Sequence, residues 1–235
     1  MMSGSLQING VAWTVSVLGE RALLIKPKEN DVRLSLIHLS TEILERAGLN
    51  QVTDIIPAYN SIALIYERLV EDPIKEIGRI QAKLKEFSVS EISPQMHKVP
   101  VCYELELDWK DVEKHTGLKR DLIIEKHTAS IYTVAMLGFI PGFLYLSGLD
   151  EKISCPRKAE PRTKIPAGSV GIAGNQTGVY SLESPGGWQI IGRTPISFFD
   201  PKMDPPSEVR PGDKVEFYSI SETEFKRLKT QEDHQ

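Results

Sequence analysis

Cysteine is almost missing from this chain: Cys102 and Cys155 are the only two in 235 residues. That is too few for a disulfide framework or a cysteine-based zinc site. An excess of one charge is missing too. Twenty-eight lysines and arginines stand against 32 aspartates and glutamates, a formal net charge of −4, so no basic footprint invites nucleic acid. Long hydrophobic runs are also absent. Stretches such as "VAMLGFI" fall far short of the ~20 apolar residues that a membrane-spanning helix needs. "MMSGSLQING" has neither the basic nor the apolar region of a signal peptide, so a reduced, cytoplasmic chain away from membranes is expected.

The familiar catalytic signatures are scarce. No GxxxxGK[ST] occurs, so the glycines of "GSVGIAGNQTG" are not a P-loop. Ser169 lies outside any GxSxG elbow. His97, His115 and His127 lack the close pairing of a helical metal motif, and no metal site is expected in this chain. Cys102 lies in a β-rich run with no base visible nearby, which favours a buried structural thiol.

What is present changes texture once, near residue 90. Hydrophobic residues make up 40% of the chain, enough for real cores. "VAWTVSVLGERALLIKPK" is two β-rich runs broken at Gly19-Glu20. A helix is expected from about Asp31, with Val32, Leu36, Leu39 and Ile43 as its apolar stripe and Gly48 as its stop. "VTDIIPAYNSIALIYE" repeats the pair of strands, broken at Ala58 to Asn60. A second helix follows with Asp72 as N-cap and Pro73 at its first position. Its stripe is Ile77, Ile80, Leu84 and Phe87. Repeated ββα units predict an N-terminal two-layer α+β domain over residues 1–90, its stripes serving as core.

"SVSEISPQMH" (88–97) is polar and aperiodic, and reads as a linker. Beyond it, "KVPVCYELEL" alternates like a strand, and "DWKDVEKHTGL" and "KRDLIIEKHTA" look like two short helices parted at Gly117. From Ser130 to "GDKVEFYSI" short β runs alternate with Gly/Pro turns, the pattern of a closed or sandwiched β domain over 97–225. The last residues, "KRLKTQEDHQ", read as frayed.

Two segments carry the chemistry. "GFIPGFLYLSGLD" (138–150) packs three aromatics, three glycines and a proline into thirteen residues, and its "IPGF" also occurs in cyclophilins. The stretch from Cys155 to Thr194 sets Arg157, Lys158, Arg162, Lys164 and Arg193 among prolines and glycines. Guanidinium groups on stiff loops suit carboxylate or phosphate binding, and Gln176, Tyr180 and Trp188 supply hydrogen bonds and an apolar wall. The same composition also fits barrel corners with solvated arginines, so spacing alone leaves both readings open.

"HTASIYTVAMLGFIPGFLYL", "CPRKAEPRTKIPAGSVGIAGNQTGVYSLESPGGWQIIGRTP" and "RPGDKVEFYSI" resemble the carboxyltransferase C/D-domain family. That family includes allophanate hydrolase subunit 1, the kinase inhibitor KipI and the 5-oxoprolinase subunit PxpB. "LGERALL", "IPAYNSIAL" and "VPVCYELELDWKDVEKHTGL" fit it too, so the resemblance runs over nearly the whole chain; "CYELELDW" departs from the Gly-rich wording common among relatives. The resemblance implies an α+β domain followed by a cyclophilin-like β-barrel. It implies a subunit of a cytoplasmic complex that opens 5-oxoproline to L-glutamate with ATP, alongside PxpA-like and PxpC-like subunits. The alternatives it carries are a regulator of a sensor histidine kinase and an allophanate hydrolase subunit. Prolyl isomerase chemistry is not expected, because "IPGF" here follows "AMLG" and leads into "LYLSG", without the flanking Arg and Gln of cyclophilins. No catalytic residue is assigned. Arg157, Arg162 and Arg193 are expected to converge with His127, Gln176, Tyr180 and Trp188 on one anion-binding pocket facing a partner protein of the complex, because the loops carrying most of them return to one end of a barrel.

Overall fold

Period-2 alternation lays down the first sheet. In β1 (Ser3–Ile8), β2 (Val11–Val17) and β3 (Ala22–Pro27), the pairs Leu6 and Ile8, Trp13 and Val15, and Leu23 and Ile25 are buried on one face. The computed structural model describes residues 3–28, 32–85, 93–105 and 108–232, in two compact units, Met1–Ser93 and Pro94–Gln235. The first unit continues with α1 (Leu34–Arg46), β4 (Val52–Pro57), β5 (Ile62–Tyr66) and α2 (Pro73–Leu84). Its sheet has five strands in the order β1-β2-β3-β5-β4. The Asp72 carboxylate accepts from the Lys75 amide at 3.0 Å to start α2, and Gly48, at φ +57°, closes α1.

Two features of the first unit differ from the sequence reading. An edge strand, β1, precedes the first expected pair, so the order is βββαββα rather than ββα repeated. Its outer edge is closed by the Gln81 side chain, which accepts from the Gln7 amide at 2.8 Å and donates to the Gln7 carbonyl at 3.2 Å. The buried face of α1 is Ile37, His38, Ser40, Thr41, Ile43 and Leu44; of the expected stripe Ile43 lies in the core, Leu36 and Leu39 only flank it, and Val32 precedes the helix. Phe87 and residues 88–92 of the expected linker lie outside the described residues.

The second unit starts earlier than expected. β6 (Met96–Cys102) already includes Met96 and His97, the end of the expected linker. They are drawn into register by parallel pairing with β14 (Lys214–Ile220), Met96 opposite Lys214 and His97 opposite Val215. Between these strands come α3 (Trp109–Thr116), α4 (Arg120–Ala129), β7 (Ile131–Leu137), β8 (Leu144–Ser147), β9 (Arg162–Ile165), β10 (Ser169–Ala173), β11 (Gln176–Val179), β12 (Ser184–Gly186) and β13 (Gln189–Arg193). Seven strands close a barrel in the order β10-β11-β8-β7-β14-β6-β13, while β9 and β12 form a separate two-stranded flap. Of the residues expected to fray, 226–232 belong to α5 (Glu222–Glu232), a helix anchored by buried Phe225, and 233–235 lie outside the described residues. Among the described residues no helix is long and apolar enough to cross a membrane.

Candidate functional site

The barrel wall has two sides with different chemistry. Inside, Val170, Ile172, Val179, Leu144, Leu146 and Val134 join the main core. Outside, a second buried cluster of Phe143, Ile165, Ala173, Tyr180, Trp188 and Ile190 covers the wall, with Ile140 and Tyr145 at its margin. Strand alternation accounts for the split: neighbouring residues of β8, β10 and β13 point to opposite faces.

Phe143 is the hub of the outer cluster. Its ring centroid lies 4.6 Å from Tyr145, 4.9 Å from Tyr180, 5.4 Å from Trp188 and 5.8 Å from Phe139. The contacts to Phe139, Tyr180 and Trp188 are edge-to-face, the arrangement that aromatic quadrupoles favour. Gly178 makes room for it. A Cβ there would lie 2.9 Å from the Trp188 ring and 2.6 Å from the Leu144 carbonyl oxygen, so only glycine lets the indole rest on the wall. On the rim, Phe139 is 62% exposed with φ +71°, a conformation that costs a bulky residue free energy.

Cations ring this cluster, and their partners distinguish them. Arg162 binds Asp108 through two hydrogen bonds, Nη1 to Oδ2 at 2.7 Å and Nη2 to Oδ1 at 2.5 Å. Lys158 Nζ donates to Asp108 at 2.9 Å and Asp111 at 2.8 Å, and the Ile190 amide donates to Asp108 at 2.7 Å. Burial pushes the Asp108 carboxyl up, but the hydrogen bonds from Arg162, Lys158 and Ile190 outweigh it and hold it below the usual carboxylate range. Asp108 sits at the N-cap of α3 yet makes no cap hydrogen bond; its oxygens are taken up by the cations and the Ile190 amide.

Arg157 has no such carboxylate. Its guanidinium carbon stands 5.8 Å from the Trp188 ring centroid, the side chain is exposed, and among the described residues it forms no ion pair or hydrogen bond. Its field reaches both neighbouring phenols. Burial raises the Tyr180 hydroxyl to about 12 against the lowering effects of the Trp188 amide, Arg157 and Arg162. Burial likewise raises the Tyr145 hydroxyl, with Arg157 opposing.

Of the expected pocket residues, the structure brings together Arg157, Tyr180 and Trp188, with Arg162 at the rim and committed to Asp108. Gln176 shares the outward face of β11 with Gly178, opposite Ser147 and Ala173, and so lies on the same wall. Two residues do not join them. Arg193 donates to the Ala167 carbonyl at 2.8 Å and lies over Phe225 of α5. His127 is fully buried in the barrel core, stacked on Phe217 at 4.8 Å, because α4 turns this face inward. There Thr177 Oγ1 donates to the Gly171 carbonyl at 3.0 Å and accepts from His127 Nε2 at 2.9 Å, leaving Nδ1 to accept from the Tyr103 hydroxyl at 2.7 Å. Burial pushes His127 down to about 3, so it stays neutral.

Phe139, Phe143 and Tyr145 belong to the site although sequence reasoning assigned them no role; the density of aromatics in "GFIPGFLYL" was the available signal. Asp108 was invisible as a site residue, since nothing local links it to Arg162, 54 positions away. A separate groove of about 840 Å³ between β6, the 196–209 segment and α5 exposes Met96 and Met203 beside His97, Lys98, Asp200 and Glu232. With charges of both signs there, it favours no single ligand chemistry.

The family model for the carboxyltransferase domain, subdomain C and D, matches residues 13–209. The B component of 5-oxoprolinase from Bacillus subtilis is 36% identical over 234 residues, covering 93% of this chain and 98% of that one. Its counterpart in Escherichia coli O157:H7 is 39% identical over 204 residues, covering 86% and 93%. The crystal structure of TTHA0988 superposes with a TM-score of 0.74 at 32% identity, over 86% of this chain and 40% of that longer chain.

Proposed function

The chain belongs to the carboxyltransferase C and D subdomain family, and we propose that it serves as the B component of an ATP-dependent 5-oxoprolinase, opening 5-oxoproline to L-glutamate together with PxpA-like and PxpC-like subunits. The observation that carries this reading is the near end-to-end match to chains named as the B component of 5-oxoprolinase. The complex, rather than this chain, binds and hydrolyses ATP. Coupling is physically reasonable, since a five-membered amide resists hydrolysis at neutral pH. This chain contributes a rigid, aromatic, cation-rimmed wall, the kind of surface that orients a substrate while partners supply the reacting groups. Two buried free thiols, Cys102 and Cys155, suit the reducing, ATP-supplied cytoplasm.

The test is reconstitution. The purified chain, alone and mixed with PxpA-like and PxpC-like subunits, is assayed for glutamate formation and 5-oxoproline-dependent ADP release. Activity is expected only in the mixture. Turnover by the single chain, or an inactive mixture of folded subunits, overturns the reading.

A further inference from the structure

We propose that Arg157, with Tyr145 and Phe139, forms a subsite complete within this chain for a small planar ring carboxylate, and that the lactam acid itself is its ligand. This rests on the 5-oxoprolinase reading and assigns to that activity a place on this polypeptide.

Arg162 and Lys158 are neutralised by Asp108 and Asp111, and Arg193 is turned to the Ala167 carbonyl and Phe225. Lys164 pairs with Glu183 at 3.1 Å, so among the described residues Arg157 is the cation of this rim left to meet an external anion. Its guanidinium carbon lies 5.8 Å from the Trp188 ring centroid, and its N–H groups suit a carboxylate.

The apolar half of the subsite is next to it. Tyr145 lies 5.8 Å from Trp188 and 4.6 Å from Phe143, and Phe139 is 5.8 Å from Phe143. Tyr145 and the exposed Phe139 thus flank one hub, and a flat five-membered ring can rest against them. The Tyr145 hydroxyl stays protonated, its ionisation shifted upward by burial, and can donate to a carboxylate or lactam oxygen. The strained backbone of Phe139 is an independent sign. A phenylalanine kept at φ +71° and 62% exposed leaves most of its ring open to solvent at a backbone cost, which fits a side chain held out for a ligand.

The isolated chain is titrated with 5-oxoproline while the Trp188 indole N–H signal is followed by NMR. A saturable shift is expected. Arg157→Gln should weaken binding at least tenfold and Arg157→Lys should restore part of it, while 2-pyrrolidinone, which has the ring without the carboxylate, should not bind comparably. Phe139→Gly should weaken binding yet leave the fold as stable or more stable, because glycine takes this backbone conformation without strain. No saturable shift in the wild type, unchanged affinity in Arg157→Gln, or equal binding of 2-pyrrolidinone overturns the subsite. If Arg157→Gln keeps its 5-oxoproline affinity but no longer co-elutes with the partner proteins, the anion is a partner's acidic side chain and the proposal fails. A wild-type complex that turns over 5-oxoproline, equally well with Arg157→Gln, overturns only this subsite. A wild-type complex without turnover overturns the reading beneath it.

Discussion

Arg162 and Asp108 face each other as a two-pronged ion pair, 2.5 and 2.7 Å between nitrogen and oxygen, although 54 residues separate them in the chain. The pair ties the β9–β12 flap to the start of α3. The Ile190 amide, bonded to the same carboxylate, ties both to the barrel.

Asp108→Asn should therefore destabilise the second unit by roughly 2–4 kcal/mol, since Arg162 and Lys158 would be left beside a neutral amide. Adding Arg162→Met should recover part of that loss in chemical denaturation. The Asp108 carboxyl is held below its usual range, so its stabilisation is present above the unfolded carboxylate range and is lost as pH falls through the lower folded one. The wild type should show this acid-side loss and Asp108→Asn should lack it. A double variant no more stable than Asp108→Asn alone would contradict the coupling.

His127 should give a second acid dependence. Its pKa falls from 6.5 to about 3 in the fold, so below about pH 6.5 the unfolded chain takes up a proton that the folded chain refuses. Stability should drop by up to about 1.4 kcal/mol per pH unit from this group between those values. In His127→Gln that slope should be missing, and stability at pH 7 should be lower by roughly 1–3 kcal/mol through imperfect pairing of Tyr103 and Thr177. An imidazole signal for His127 that titrates near pH 6 would refute the buried, neutral assignment.

Gly178→Ala should cost roughly 1–3 kcal/mol and shift the Trp188 environment, because the new methyl meets a backbone carbonyl at 2.6 Å, which cannot swing away. Thermal unfolding and near-UV circular dichroism report both effects. An unperturbed variant would mean that the indole does not rest on this wall.

Residues 94–235 should fold on their own. The two core clusters of that segment contain no residue from 1–93, and the core of the first segment contains none from 94–235. Cooperative unfolding of the expressed fragment, with dispersed NMR signals, is the expected result; a molten fragment would disprove it.

Where a local rule carried the information, the fold was legible. The Asp72-Pro73 start of α2 and the Gly117 stop of α3 needed only capping chemistry, and both stand. β1 was missed because a short edge strand with Leu6 and Ile8 gives only two apolar positions to count. Met96 and His97 looked like linker because their partner, β14, lies more than a hundred residues away. α5 looked frayed because only Phe225 of its first turn is buried.

The candidate site divides the same way. Composition by itself determined that residues 138–194 carry an unusual load of aromatics, cations, prolines and glycines, since residue type and turn chemistry are local properties. Only the tertiary structure decided which cation is available. Asp108 and Asp111 occupy Arg162 and Lys158, α4 turns His127 into the barrel, Phe225 takes Arg193, and among the described residues of this rim Arg157 is left exposed over Trp188. Charge compensation acts through space over a few ångströms, and distances of that kind between residues tens of positions apart exist only once the barrel has closed.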